Sequence, residues 1–276
     1  MRKKYLQLLA CLLLMTPMLK AQQGISLPFS SFYDENAWLS LGLQYNYINS
    51  TYRLGLKEGW AKMGITNVPE NNNLYIQEFK SIQTAESHGM SVSIPVELRF
   101  TDNLSSTFQP TFVFINNGGI KYQDVLDKEP LFRKMRHVGS ELDGSNFNSF
   151  EFPLNIKFRS DEKILKNKHN RYRGYITGGA RYTRWIGIVD EYNALAALEA
   201  ADRPQPFILK PGYLSWEVGI GAEIFFSYFR MSPEIKFIQS MSNVLAPNHE
   251  LAKGNPFMAP LDKVGIRNIQ FSLIFQ

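Results

Sequence analysis

The chain has 276 residues, with 30 lysines and arginines, 25 aspartates and glutamates, and a single cysteine. One cysteine leaves almost no room for cysteine chemistry. Four of the basic residues lie within residues 1–21, so the remainder carries 26 basic against 25 acidic residues. That balance does not favour nucleic acid or an acidic membrane surface as the main partner.

The first residues have the composition of a secretory signal. A basic start is followed by the mostly apolar stretch Leu6–Leu19 and then by the small residue Ala21. This pattern predicts a signal peptide at 1–21, cleaved between Ala21 and Gln22, and a single domain at 22–276. Beyond the signal, no apolar run is long enough for a membrane helix.

Two alternatives for the first residues are left open. An uncleaved membrane anchor needs about 20 apolar residues, whereas this run is shorter and contains Pro17. Lipid attachment at Cys11 would use the sequence Leu-Leu-Ala-Cys, which resembles a lipobox but has only a short apolar run before it.

Alternating polarity recurs along the rest of the chain. In Phe150–Arg159 every even-numbered side chain is large and apolar, while the odd-numbered ones include three charged residues. A period of two is the pattern of strands with unlike faces, and about ten such residues cross a bilayer when the strand is tilted. Seven further stretches alternate similarly, at 39–47, 91–100, 107–115, 172–183, 214–227, 231–237 and 269–275.

Long and short gaps alternate between these eight stretches. The long gaps lie at 48–88, 116–148, 187–211 and 241–264, and the short ones at 101–103, 160–170 and around Tyr228. This spacing predicts an all-β fold, an eight-stranded antiparallel transmembrane β-barrel with long external loops and short periplasmic turns. Its predicted location is the outer membrane of a Gram-negative bacterium. A soluble sandwich or lipocalin-like barrel also alternates, but with its apolar face inward.

Four prolines lie inside predicted strands, at Pro95, Pro110, Pro153 and Pro233. Proline lacks a backbone donor and is normally confined to sheet edges or bulges. Because a closed barrel has no edge, we expect bulges or local breaks in the hydrogen-bond ladder at these positions.

If the apolar face meets lipid, the polar face fills the barrel, because an eight-stranded lumen is about as wide as its own side chains. Charges on that face are then buried and need partners. We expect Arg173 and Arg181 to meet Glu223 and Glu217 across adjacent strands. A salt-bridged plug is one interpretation, and a proton or solute path is the other. The predicted lumen charge cluster consists of Glu97, Arg99, Glu151, Lys157, Arg159, Arg173, Arg181, Glu217, Glu223, Glu234 and Lys236.

Signals for catalysis are weak. The four histidines are far apart in sequence and fall in predicted loops or at strand edges. No G-x-S-x-G elbow is present, although a lipid enzyme built on a serine and a histidine has no strong local motif and stays open. The sequence therefore predicts no enzyme, no cofactor, no metal and no small-molecule substrate, with outer-membrane lipid as the partner.

The second half of the chain also carries motifs of a known family. They are FEFPL at 150–154 followed by Lys157, NRYRGYITGG at 170–179, WEVGIG at 216–221, YFRMSPEIKF at 228–237, SNVL at 242–245 and LDK at 261–263. This series is similar to PorT, an outer-membrane barrel of the Bacteroidetes type IX secretion system, over about residues 38–276.

The resemblance implies a non-enzymatic accessory in protein export across the outer membrane, and in motility of gliding species. It implies other type IX secretion components as partners, and no cofactor. A small general outer-membrane barrel without a secretion role is the alternative.

Overall fold

In a computed structural model of the chain, the structure describes residues 24–31, 33–65, 75–115, 118–126, 129–135, 147–164, 171–199 and 205–276. The predicted cleavage site at Ala21 and Gln22 and the alternative at Cys11 lie outside these residues. Within them, no helix is both long and apolar enough to cross a membrane.

The described residues form sixteen strands and little helix. The strands are β1 (Ile25–Ser26), β2 (Leu39–Leu41), β3 (Leu43–Leu56), β4 (Phe79–Ala85), β5 (Ser87–Ser93), β6 (Val96–Arg99), β7 (Leu104–Phe108), β8 (Thr111–Ile115), β9 (Gly119–Asp124), β10 (Leu131–Lys134), β11 (Phe147–Arg159), β12 (Lys163–Ile164), β13 (Arg171–Trp185), β14 (Gly212–Phe225), β15 (Arg230–Ser240) and β16 (Leu261–Phe275). Helix α1 is Ile188–Ala196, and two 3-10 turns span Trp60–Lys62 and Glu250–Ala252.

Eight barrel strands, here called staves, form a closed antiparallel barrel; a stave is either one continuous strand or two strands separated by a short break. Three staves are each interrupted once and consist of β2 with β3, β5 with β6, and β7 with β8, while β11, β13, β14, β15 and β16 are single strands. Neighbours in the chain pair with each other. The last stave, β16, pairs with β3 from Phe275↔Leu43 to Leu261↔Leu56, which closes the sheet. The predicted eight-stranded barrel is confirmed.

The connections at the two ends of the barrel differ in length. The links from β6 to β7, β11 to β13, and β14 to β15 meet at one end, together with the described N-terminal residues. Short turns lie on the periplasmic side in barrels of this type. We therefore call this end periplasmic and the other end external.

The apolar faces of the staves point outward. In β11, Leu154 is 57% exposed and its neighbour Asn155 is 1% exposed; in β14, Ile220 is 63% exposed and Glu223 is 0% exposed. Such a continuous apolar exterior is the lipid face of a transmembrane barrel, and the reverse of a soluble one. The outward apolar belt comprises, among others, Leu43, Tyr45, Tyr47, Met90, Val92, Ile94, Leu98, Phe108, Phe114, Phe150, Phe152, Leu154, Ile156, Phe158, Ile176, Tyr182, Leu214, Trp216, Val218, Ile220, Ile235, Ile269, Phe271 and Leu273.

The strand prolines interrupt the ladder without shifting its register. Pro95 and Pro110 lie in the breaks within their staves, and pairing resumes in the same register beyond each break. Pro153 faces the second break, and Pro233 lies where the pairing of β14 with β15 is interrupted. The expected local breaks are present, and three proline carbonyls still accept backbone bonds across them: Gly42 N to Pro95 O at 3.0 Å, Ile94 N to Pro110 O at 3.1 Å, and Gln109 N to Pro153 O at 3.1 Å.

The staves continue beyond the belt at the external end, where their polarity reverses. In β3, Tyr45 and Tyr47 face outward in the belt, but further along the strand Ile48 and Tyr52 are buried inside and Arg53 is exposed. The upper part of this stave therefore has the faces of a water-soluble barrel.

A cap covers the external end of the barrel. Strands β4, β9 and β10 form a separate three-stranded sheet, and with α1 and residues 205–209 they pack over the inward side chains of the upper staves. The cap core includes Ile65, Ile76, Phe79, Ile82, Ile120, Tyr122, Met135, Ile188, Tyr192, Leu195, Phe207, Ile208, Leu209, Phe257 and Met258. The apolar cap core closes the external mouth.

Gly221 on the inner face of β14 makes room for a large neighbour. It pairs with Tyr175 of β13, and a Cβ at position 221 would overlap the Tyr175 ring. We expect Gly221→Val to lower the free energy of unfolding by about 1–3 kcal/mol, the usual cost of overpacking. Urea unfolding in lipid vesicles measures this change.

The matched control is Gly178→Ala on the lipid-facing side of β13, where the nearest atom to a new Cβ is 3.6 Å away. This variant should unfold like the wild type. Equal losses in the two variants would contradict the assignment of inner and outer faces.

Candidate functional site in the lumen and at its two mouths

The structure buries ten of the eleven predicted lumen charges inside the barrel. Each of the ten is 6% exposed or less, and the ten are Glu97, Glu151, Lys157, Arg159, Arg173, Arg181, Glu217, Glu223, Glu234 and Lys236. They form two ion-pair clusters, one towards each end of the lumen.

Arg99 is the exception and corrects the prediction. Its side chain is 16% exposed and lies at the periplasmic rim, where Nη2 pairs with the exposed Asp102 at 2.7 Å. Its Nη1 donates to the backbone carbonyl of Glu35 at 3.0 Å. The alternation correctly predicted that Arg99 lies on the inward face of its strand. Because β6 ends at Arg99, however, water reaches the side chain.

The periplasmic cluster surrounds two glutamates with four cations. Glu223 pairs with Lys157 at 3.1 Å, with Arg159 at 3.2 Å, and with Arg173. Glu97 pairs with Lys157 at 3.2 Å and also with Arg159. The sixth member, Arg230 of β15, donates to Glu97 at 2.9 Å and lies 3.5 Å from Glu223.

The external cluster has the opposite balance, with three glutamates and two cations. Arg181 bridges Glu151 and Glu217, at 2.5 Å to each, and Lys236 bridges Glu217 and Glu234, at 3.2 Å to each. Strand register places these groups together, because Arg173 lies directly opposite Glu223 and Arg181 lies two residues beyond the partner of Glu217.

Neutral side chains complete the external cluster. Tyr175 donates to Glu234 at 3.0 Å, Asn155 donates to Glu217 at 2.6 Å, and Gln109 accepts from Lys236 at 2.9 Å. Sequence reasoning missed these partners because they come from staves that are not adjacent in the chain. It also missed Arg230, although extending the alternation of β15 by one residue would have placed that side chain inside.

The N-terminal residues close the periplasmic mouth. The ring of Phe29 packs 4.6 Å from that of Phe229 in the turn between β14 and β15. Glu35 accepts from Arg99 through its backbone and pairs with Arg171 through its carboxylate. Tyr33 lies between these anchors and faces the periplasmic cluster, and burial raises the pKa of its phenol above the ordinary value, so that the hydroxyl keeps its proton.

The cap closes the external mouth with apolar packing and buried polar contacts. Tyr122 of β9 donates to the backbone carbonyl of Phe257 at 2.6 Å, and burial raises the pKa of its phenol well above the ordinary value. The guanidinium of Arg133 lies 4.4 Å from the centre of the Phe257 ring and donates to the Gln205 carbonyl at 2.8 Å.

The belt and the filled lumen together define the type of protein. In an outer-membrane β-barrel, an apolar belt about as tall as a tilted membrane-spanning strand surrounds a polar interior. This chain has that arrangement and is an outer-membrane β-barrel. Its lumen is occupied by paired side chains rather than by an open channel. No three metal-ligating side chains are grouped as a metal site in the part of the chain that the structure describes.

Comparisons with known proteins identify similar solved structures. No protein family and no curated protein match the sequence. Solved structures that align with the chain include Neisserial surface protein A (7% identity, TM-score 0.35, 85% of this chain and 95% of that one), Ail of Yersinia pestis (10%, 0.31, 85% and 96%) and OprG of Pseudomonas aeruginosa (10%, 0.33, 85% and 93%). At these TM-scores the description of the fold rests on the strand pairing itself.

Loss of the Arg181 charge should damage the external cluster. Arg181→Gln leaves Glu151 without its cation and Glu217 with one cation instead of two. We expect the free energy of unfolding to fall by about 3–5 kcal/mol, as for other broken buried ion pairs. Urea unfolding in lipid vesicles measures the loss.

Arg184→Gln is the control, because Arg184 lies on the exposed side of the same strand, β13. It should leave stability unchanged. Wild-type stability in Arg181→Gln would show that the cluster does not hold the barrel together.

Proposed function

We propose that this barrel is a non-enzymatic, non-conducting component of type IX protein secretion that acts through its surfaces. The observation that carries the proposal is the filled lumen with both mouths covered. Cargo has no route through such a barrel, so any part in export must come from what its periplasmic turns, its lipid face or its cap contact. Its partners are then other components of the secretion system.

The motif resemblance supplies the link to secretion, and the structure gives those motifs a physical role. Residues 150–157, 170–179, 216–221 and 228–237 contribute most of the lumen charges. Asn243, in the motif at 242–245, accepts from the backbone of Leu245 and Val264, both at 3.0 Å, and so attaches the last external loop to β16. The motifs thus encode a closed barrel with an anchored cap, which is what a surface-acting component needs.

A small general outer-membrane barrel without a secretion role is equally consistent with the filled lumen and the cap. The contacts of the two described histidines, His88 and His249, give little support to the alternative of a lipid-modifying enzyme. His88 Nδ1 lies 2.7 Å from the Tyr47 hydroxyl at the border of the belt, and His249 Nδ1 accepts from the backbone of Leu251 at 3.2 Å. Neither contact includes a serine nucleophile.

Deletion of the gene separates the two remaining functions. We expect type IX cargo to accumulate in the periplasm of the deletion strain, and a plasmid copy of the wild-type barrel to restore its export. Planar-bilayer recording of the purified barrel should show no stable open channel. Normal cargo export in the deletion strain would reject the secretion role, and a steady conductance would reject the closed barrel.

A further inference from the structure

The periplasmic cluster carries more positive charge than its own acids can balance. Four buried cations, Lys157, Arg159, Arg173 and Arg230, surround two buried carboxylates. An uncompensated charge away from water costs several kcal/mol, so buried ions are normally paired. The cluster therefore has two more cations than carboxylates, whereas the external cluster has one more carboxylate than cations.

The carboxylates at the periplasmic rim neutralise the excess positive charge of the cluster only in part. Glu35 is paired with Arg171 and Asp102 with Arg99; Asp34 is exposed, and so is the side chain of Asp102, at 89%. Water and salt screen exposed carboxylates, so their effect on a buried charge is small. With a chain-terminal carboxylate at Gln276 counted as a third acid, the periplasmic cluster still has one cation in excess, and the extra glutamate that would balance it lies in the external cluster.

A small cavity lies where the excess charge is concentrated. It is lined by Tyr33, Asp34 and Glu35 from the N-terminal residues, Glu97 and Arg99 from β6, Arg159 from β11, Arg230 from β15, and Gln276. Its volume of about 10 Å³ is enough for one particle of about the size of a water molecule. That is the space of a monatomic ion, and it is too small for phosphate or sulfate.

The residues that line this cavity carry four hydrogen-bond donors for which the described part of the chain offers no partner. They are the Tyr33 hydroxyl, Arg159 Nη1, Arg230 Nε and Gln276 Nε2, and the two arginines and the glutamine are at least 93% buried. Both oxygens of Glu97, the buried carboxylate in the wall, are already engaged with cations of the cluster. Buried donors normally have an acceptor.

We propose that this cavity binds a halide-sized anion, chloride under physiological conditions, at the periplasmic end of the lumen. An anion accepts from several donors at once and balances part of the excess charge. A water molecule would accept from two of these donors but would bring two hydrogens of its own, and it would leave the charge excess unchanged. The bound anion joins the N-terminal residues, through Tyr33, to β11 and β15.

Bromide serves as the probe, because it replaces chloride and is visible by anomalous X-ray scattering. Crystals of the full barrel grown in sodium bromide should show an anomalous peak between Arg159, Arg230 and Tyr33. Thermal unfolding of the detergent-solubilised protein should occur about 2–4 °C higher in sodium chloride or bromide than in sodium gluconate at the same ionic strength.

Three variants make the result specific to the cavity. Arg230→Gln should abolish the difference between chloride and gluconate, and Arg184→Gln on the outer face should retain it. If Arg230→Gln does not fold, Tyr33→Phe decides, because it removes one neutral donor and should reduce the difference. Ordered water without an anomalous peak, bromide only at the protein surface, or equal midpoints in the two salts would overturn the proposal.

Discussion

The structure depends on one constraint: in hydrocarbon, every backbone donor and acceptor must find its partner within the protein. An unpaired group there costs several kcal/mol, so the sheet has to close on itself. The pairing of β3 with β16 provides this closure over almost the full length of both strands. The interruptions at Pro95, Pro110 and Pro153 are tolerated because these carbonyls still accept a backbone bond from the neighbouring strand and the register is kept.

Closure with only eight staves determines what the lumen can contain. The interior is about as wide as the side chains that line it, so the polar faces must satisfy each other. Ion pairs do this across staves that are not neighbours, since Glu97 of β6 meets Lys157 of β11 and Arg230 of β15. Buried ion pairs add little net stability relative to apolar packing, but breaking one is costly. They therefore specify one arrangement of the staves.

Much of the barrel could be predicted because a period of two separates faces that meet different solvents. The prediction was incomplete where the solvent changes along one strand. Beyond Tyr47 and before Ile269 the outer face meets water, so apolar side chains turn inward and the alternation inverts. The predicted strands stopped at that inversion, whereas β3 extends to Leu56 and β16 begins at Leu261. The cap sheet and partners such as Gln109 depend on packing between distant segments, which no local pattern encodes.

Direct contact of the large apolar side chains with lipid is the central claim, and spin labels test it most directly. Labels would be placed at Leu154 and Ile220, which are 57% and 63% exposed, with Cys11 replaced by serine. In lipid vesicles, both labels should collide often with oxygen dissolved in the acyl chains and rarely with a water-soluble nickel chelate. Frequent collisions with the chelate and few with oxygen would place these faces in water and contradict the account.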